Sequence, residues 1–158
     1  MEKLTFFGIG PKIARIVLPH LAIAILLTLI FPSVFTFGKV LSRPFMIAGI
    51  TLLAVALVYY FSTLRLMLPG IKENRLVTGG AYRLCRNPLY AALLLFLIPG
   101  LGLLLNSWLI LTVPVAGYLA FRKFIHEEEE QLERLFGDEF RKYRAQTALF
   151  FPNPFRKM

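Results

Sequence analysis

The sequence predicts an all-helical (all-α), polytopic membrane protein with about four transmembrane helices and a C-terminal cytoplasmic amphipathic helical segment. Three observations predict it. The 158-residue chain is 57% hydrophobic, above the ~45–50% usual in soluble domains. The apolar excess is gathered into three stretches without Asp, Glu, Lys or Arg: residues 16–38, 44–64 and 87–121. The basic residues are also one-sided. With both termini inside, only Lys39 and Arg43 of the eighteen Lys and Arg fall in an outer loop, a strong positive-inside bias.

Each element follows from length and punctuation. A bilayer core of ~30 Å takes about 20 apolar residues of helix. The first two stretches each fit one crossing: helix one over residues 13–31, with Pro19 a candidate kink, and helix two over residues 44–65. The first apolar run exceeds the ~7–15 residues of a signal peptide core and no small-x-small site follows, so it reads as a retained helix. The dozen residues before it read as a short interfacial lead. Pro32 and Gly38 mark a short outer loop. The third stretch is too long for one helix and barely long enough for two. Asn106 and Ser107 interrupt it, which suggests a tight hairpin. Helix three starts near Pro88, since proline favours the first helical turn, and Pro99-Gly100-Leu101-Gly102 should distort it. Helix four covers residues 107–125, with Pro114 inside.

Beyond Phe124, Glu127 to Glu130 open an amphipathic segment with Leu132, Leu135 and Phe136 at helical spacing. Gly137 is the expected C-cap, and Asp138 the expected N-cap of a short helix with Phe140 and Tyr143 on one face. Phe150, Phe151 and Phe155, with Pro152 and Pro154, suggest a return to the interface. The organisation is one domain, residues 1–158: a first helical hairpin, residues 1–66, and a second half, residues 67–158, that carries the polar chemistry.

The net charge of +9 would suit nucleic acid, but its placement suits orientation in a membrane and contact with anionic headgroups. No nucleic-acid partner is expected. The single cysteine, Cys85, excludes an internal disulfide framework and reads as a small packed residue. His126 has no second His or Cys at metal-ligand spacing, so no metal is expected. His20 in helix one reads as a hydrogen-bonding group of the bundle, and Gly100-x-Gly102 as close helix packing. The apolar stretches carry no acidic or basic residue for an ion path, which argues against a transporter or channel.

Two polar constellations flank the third stretch. One is Thr78-Gly79-Gly80-Ala81-Tyr82-Arg83-Leu84-Cys85-Arg86-Asn87-Pro88-Leu89-Tyr90. The other runs from Glu127 through Phe136-Gly137 to Tyr143. A hairpin between them brings both to one membrane face. An Arg, an Asn and several aromatics then oppose a carboxylate cluster, a suitable wall for a charged ligand at the lipid boundary.

The first constellation resembles the Gly-x-Tyr-x-x-x-Arg-His-Pro-x-Tyr signature of membrane methyltransferases: the isoprenylcysteine carboxyl methyltransferases and the phospholipid (phosphatidylethanolamine) N-methyltransferases. Glu128-Glu129-x-x-Leu132-x-x-x-Phe136-Gly137-x-x-Phe140-x-x-Tyr143 is similar to their second motif, Glu-Glu-x-x-Leu-x-x-x-Phe-Gly-x-x-Tyr-x-x-Tyr. Order, spacing and the intervening hydrophobic hairpin match over residues 75–152. The resemblance implies an enzyme that uses S-adenosylmethionine, with a tunnel admitting a lipid substrate from the bilayer. It implies a cofactor site of Tyr82, Arg86, Asn87, Pro88, Tyr90, Glu128 and Glu129. Arg86 would pair with the cofactor carboxylate. Glu128 or Glu129 would accept from its ribose or ammonium, and Tyr82 or Tyr90 would face its sulfonium. Glu127 and Glu130 read as a solvated face. Methyl transfer needs positioning and a dry site rather than a covalent nucleophile, so no catalytic residue is singled out.

Three departures bear on chemistry. Asn87 stands where the family has His and cannot titrate as a base. Phe140 stands for the first tail Tyr. Leu149 stands where the carboxyl methyltransferases have an Arg, which argues against a carboxylate acceptor and leaves amine, phenol or thiol acceptors. A second reading, a membrane scaffold that keeps the fold without turnover, rests on Asn87 and Phe140 alone. Four helices enclose little volume, so a dimer and direct lateral access of lipid are both open.

Overall fold

The computed structural model describes residues 8–151. Its helices are α1 (Gly10–Ile30), a one-turn α2 (Pro32–Phe35), α3 (Ser42–Lys72), a one-turn α4 (Ala81–Leu84), α5 (Pro88–Ala91), α6 (Ile98–Leu104), α7 (Val113–Phe136) and α8 (Asp138–Gln146). A π-helical stretch, Ala92–Leu97, joins α5 to α6, so these form one helix, Pro88–Leu104. A 3₁₀ turn, Ile110–Thr112, leads into α7.

The expected distortion near Pro99 appears one turn earlier than the proline. Pro99 has no N–H, and its ring presses on the carbonyl four residues back. Widening the preceding turn to π geometry relieves both problems. Helix four differs more from expectation. It begins at Val113, and Pro114 lies in its first turn rather than inside it. The Glu run does not open a separate segment, because α7 continues through it to Phe136. Gly137, with φ +50°, both ends α7 and precedes α8. Asp138 is therefore the first residue of α8 and not its cap. Its side chain meets Arg141 at 3.1 Å.

Helix packing follows the small residues. α3 buries Gly49, Ala56, Thr63 and Gly70, one every seven positions, and lies along α5 and α6. A Cβ on Gly49 would stand 2.8 Å from the Gly100 carbonyl oxygen and 2.7 Å from the Leu104 nitrogen. α1 buries Ile13, Val17, Ala24 and Thr28 and lies along α7. The expected first helical hairpin is thus split. Among the described residues α1 and α3 make no close backbone contact, and the second hairpin stands between them.

The outward faces of α1 and α3 are apolar and exposed, with Leu18, Leu26 and Leu29 on one and Ile47, Val58 and Phe61 on the other. Both helices are long and apolar enough to cross a membrane, whereas Pro88–Leu104 is shorter. At one end of the bundle the α1–α3 connection is tied to the Asn106 turn. The Phe37 amide donates to Asn106 O at 3.1 Å, Asn106 Nδ2 to Gly38 O at 3.0 Å and Trp108 Nε1 to Val34 O at 3.0 Å. Within the bundle Thr28 and Ser107 share a buried hydroxyl contact at 2.8 Å. His20 Nε2 lies 3.0 Å from Thr112 Oγ1. Lys39 and Arg43 belong to this end. The Glu run, Arg86 and the start of α1 gather at the other.

Candidate functional site

The loop after α3 is shaped by proline and by alternation. Pro88 occupies the first turn of α5, and the residue before a proline is driven out of helical geometry. Asn87 accordingly has φ −124°, and Cys85 is extended at φ −156°. Successive extended side chains point to opposite sides. Cys85 turns into the core, 3.5 Å from the Tyr59 hydroxyl, where burial pushes its thiol pKa up. Arg86 turns the other way, towards α7 and the chain after α8.

Arg86 Nε and Nη2 both donate to Glu129 Oε1, at 2.9 and 2.8 Å. Nη1 donates to the Arg144 carbonyl at 2.8 Å and to that of Thr147. Four of the five guanidinium N–H groups are therefore committed within the chain. The Arg86 amide donates to Ala148 O at 2.8 Å and Asn87 Nδ2 to Leu149 O at 2.9 Å. Phe150 then plugs into the core against Phe121 and Tyr118, while Phe151 stays exposed. Pro152, Pro154 and Phe155 lie outside the described residues.

The four glutamates divide by helical phase. Glu127 pairs with Lys12, and Glu130 faces Arg134 at 4.0 Å on the exposed side. Glu128 and Glu129 turn inward. Glu128 Oε2 accepts from the Tyr90 hydroxyl and from the Ile9 amide, both at 3.2 Å. Among the described residues no Lys or Arg pairs with it. Burial is the main force raising its pKa, and Glu129 adds to it. Burial, with Glu128 nearby, also raises the Tyr82 pKa. On α8, Phe140 and Tyr143 are buried on one face, and Tyr143 donates to Tyr82 O at 2.7 Å.

These groups enclose a cavity of about 320 Å³. Tyr82, Arg86, Asn87, Pro88, Tyr90, Glu128 and Glu129 all line it, although they come from segments some forty residues apart. Apolar walls include Leu93, Ile125 and Leu132. Gly100 and Gly102 are buried in helix contacts instead. Asn87 turns its amide to Leu149, and the Leu149 side chain packs against the core.

Sequence reasoning missed two parts of the lining. Gly8 lies just before α1 and Gly10 is its first residue, and Met67, Gly70, Ile71 and Arg75 come from the end of α3 and the turn after it. The signal for the first was Gly8-x-Gly10-Pro11, which a lead without a role in a site does not need. The signal for the second was Pro69-Gly70, at which α3 stays helical while the chain beyond folds back: Arg75 donates its amide to Gly70 O at 2.9 Å. Tyr60 also lines the cavity, and no spacing distinguished it from its apolar neighbours.

Two curated proteins are similar to part of the chain. One is the cobalt-zinc-cadmium resistance protein CzcN of Cupriavidus metallidurans, 39% identical over 88 residues. The other is the nickel-cobalt-cadmium resistance protein NccN of Alcaligenes xylosoxydans xylosoxydans, 34% identical over 88 residues. Each alignment covers 55% of this chain and 40% of the relative, so the chain spans less than half the length of the curated relatives it matches. The family model described as phospholipid methyltransferase matches residues 44–139. That match takes in α3, the loop, both helices of the second hairpin and the inward glutamates, and the chain belongs to the phospholipid methyltransferase family.

Proposed function

We propose that the protein transfers a methyl group from S-adenosylmethionine to a lipid-soluble acceptor at the cytoplasmic membrane face. One observation carries this reading. Two family motifs, separate in sequence, line a single cavity at the bundle end where the glutamates and Arg86 gather. Its volume, about 320 Å³, lies at the lower end of the ~300–1,000 Å³ typical of ligand pockets.

The donor set fits the cofactor's chemistry. S-adenosylmethionine, when bound, supplies a methyl group on a cationic sulfonium. Arg86 and Glu129 cancel each other's charge, which leaves Glu128, paired with no Lys or Arg among the described residues, as the carboxylate facing the cavity. That polarity favours a cationic guest. Tyr82 and Tyr90 present aromatic faces suited to a sulfonium. The Arg86 fork retains one N–H for a carboxylate, so most of its work is holding the wall. Leu93, Ile125 and Leu132 give the cavity apolar walls, which would favour the exclusion of water that strengthens polar contacts inside such a site.

An amine is the favoured acceptor class. Leu149 offers no cation for a carboxylate, whereas Glu128 tolerates an approaching ammonium. The ammonium would first lose its proton to solvent; the free amine lone pair would then take the methyl while the electrons of the carbon–sulfur bond stay on sulfur, leaving a neutral thioether. The bilayer reading uses four crossings, α1, α3, Pro88–Leu104 and the apolar part of α7, with both ends of the chain cytoplasmic. Cysteines introduced at Lys39 and at Arg83 should then label from opposite sides in sealed vesicles. The names of the two relatives suggest metal stress as a setting in which to look for the methylated lipid.

Calorimetry of S-adenosylmethionine with the detergent-purified protein tests the cofactor reading. Micromolar binding that is lost in Glu129→Ala and Arg86→Ala supports it. A folded wild type that binds nothing overturns it and leaves the non-catalytic scaffold. A labelled methyl donor with lipid extracts then identifies the acceptor.

A further inference from the structure

We propose that the segment leading into α1 is part of the site. Its Ile9 peptide N–H is a positioning donor that fixes the Glu128 carboxylate with one oxygen held and the other turned to the cavity. The segment precedes residue 44, where the family match begins, so this chain supplies a site component that the matched region lacks.

Three contacts argue for it. Ile9 N–H donates to Glu128 Oε2 at 3.2 Å, across 119 residues of sequence. Lys12, one turn on, pairs with Glu127 and also stands 5.4 Å from the centre of the Phe124 ring. Gly8 lies so close that a Cβ on it would meet Glu128 Oε2 at 2.5 Å, and its φ is +43°, which glycine adopts readily. The first turn of α1 is therefore clamped to α7 at the two residues on either side of the boundary between solvated and inward glutamates. Ile9 itself is 3% exposed, so its amide is shielded from bulk solvent.

An amide donor matters at this place because no Lys or Arg among the described residues pairs with the carboxylate. Among the described residues, the groups facing Glu128 are the Tyr90 hydroxyl, Tyr82 and, beside it on α7, Glu129 with its Arg86. All but the Arg86 guanidinium, which is already paired, are neutral or negative. The Ile9 amide and the Tyr90 hydroxyl stabilise the ionised form against burial. Without the amide, Oε2 is free to rotate towards Tyr90 alone, and the orientation of Oε1 is lost with it.

The test compares Ile9→Pro with Ile9→Ala. Both remove the branched side chain, and only the proline removes the N–H. The Ile9 φ of −84° lies close to the range proline accepts. Two readouts are used. The first is infrared titration of the Glu128 carboxyl band, assigned by its loss in Glu128→Gln. The second is S-adenosylmethionine affinity, which rests on the function proposed above. A hydrogen bond to a charged group corresponds to at least about tenfold in equilibrium. Glu128 should therefore bind its proton about tenfold more tightly in Ile9→Pro than in Ile9→Ala, and cofactor affinity should fall further in the proline variant. Equal titration in the two variants overturns the inference. A wild type that binds no cofactor overturns the function instead, and the titration alone then decides the role of Ile9.

Discussion

Arg86 and Glu129, 43 residues apart, meet as a nearly buried pair in which two guanidinium nitrogens share one carboxylate oxygen. Their side chains are 12% and 14% exposed, so little solvent screens them. The same guanidinium holds the carbonyls of Arg144 and Thr147. Arg86 is thus a hub joining the loop, α7 and the chain after α8. Removing one partner of such a pair costs about 3–5 kcal/mol, since the other is left buried and uncompensated. Arg86→Ala should lower the unfolding free energy by about 3 kcal/mol, measured by denaturation in mild detergent. Arg86→Lys should recover only part of that loss, because an ammonium cannot reproduce the fork. Full recovery by lysine would show that charge alone matters.

Glu128 gives a pH dependence with two opposite signs. Burial raises its folded-state pKa above the ordinary 4.5. A raised carboxyl contributes stability that is fully present below the unfolded pKa and is lost as pH rises through the folded one. The cofactor-free protein should therefore lose stability over that interval. Binding of cationic S-adenosylmethionine should strengthen over the same interval, because the proton and the cofactor compete for the site. Glu128→Gln should flatten both profiles. Calorimetry and thermal melts on one pH series check this, and a cofactor affinity in the wild type that ignores pH there would remove Glu128 from the site.

Asn87 has a structural role that its amide can fill without titrating. Nδ2 donates to Leu149 O at 2.9 Å, and the residue is 7% exposed. Asn87→Ala should cost about 1 kcal/mol and leave that carbonyl unpaired. It should also speed amide hydrogen exchange over residues 147–151. Asn87→His restores a ring N–H and should slow exchange again. The histidine of the family motif and the asparagine of this chain are then alternatives for one tie, which removes the main support for a scaffold without turnover.

What was legible in the sequence follows from the range of each interaction. Phase along one helix was legible: Glu128 and Glu129 turn inward while Glu127 and Glu130 face out, as four successive residues on a 3.6-residue period must. Local chemistry was legible too, with Pro88 opening α5 and Gly137 closing α7. Pairings across the chain were not. The Glu128–Ile9 bond spans 119 residues and uses a backbone N–H, which every non-proline residue carries and no pattern marks. Helix adjacency was also hidden. α1 and α3 are neighbours in sequence, yet each packs on the second hairpin. The decisive heptad of Gly49, Ala56, Thr63 and Gly70 lies in a helix that is largely apolar on its other faces too, where a hydrophobic pattern has little contrast.

That heptad yields the last prediction. At the crossing of α3 and α6 the backbones approach so closely that neither glycine has room for a side chain. A Cβ on Gly49 would lie 2.7–2.8 Å from backbone atoms of α6, and one on Gly100 would lie 3.1 Å from the Gly49 oxygen. Backbone cannot rotate aside as a side chain can, so the helices must separate. Overpacking of this kind typically costs about 1–3 kcal/mol. Gly49→Val should fall at the upper end, with Gly49→Ala below it. Ile47→Val, on the exposed face of the same helix, should change little. Because α3 also supplies Met67, Gly70 and Ile71 to the cavity, a displaced α3 should weaken S-adenosylmethionine binding from at least about five turns of helix away. Thermal melts and calorimetry on the three variants decide it. A stable Gly49→Val protein that binds like wild type would mean that α3 is not held against α6 as described.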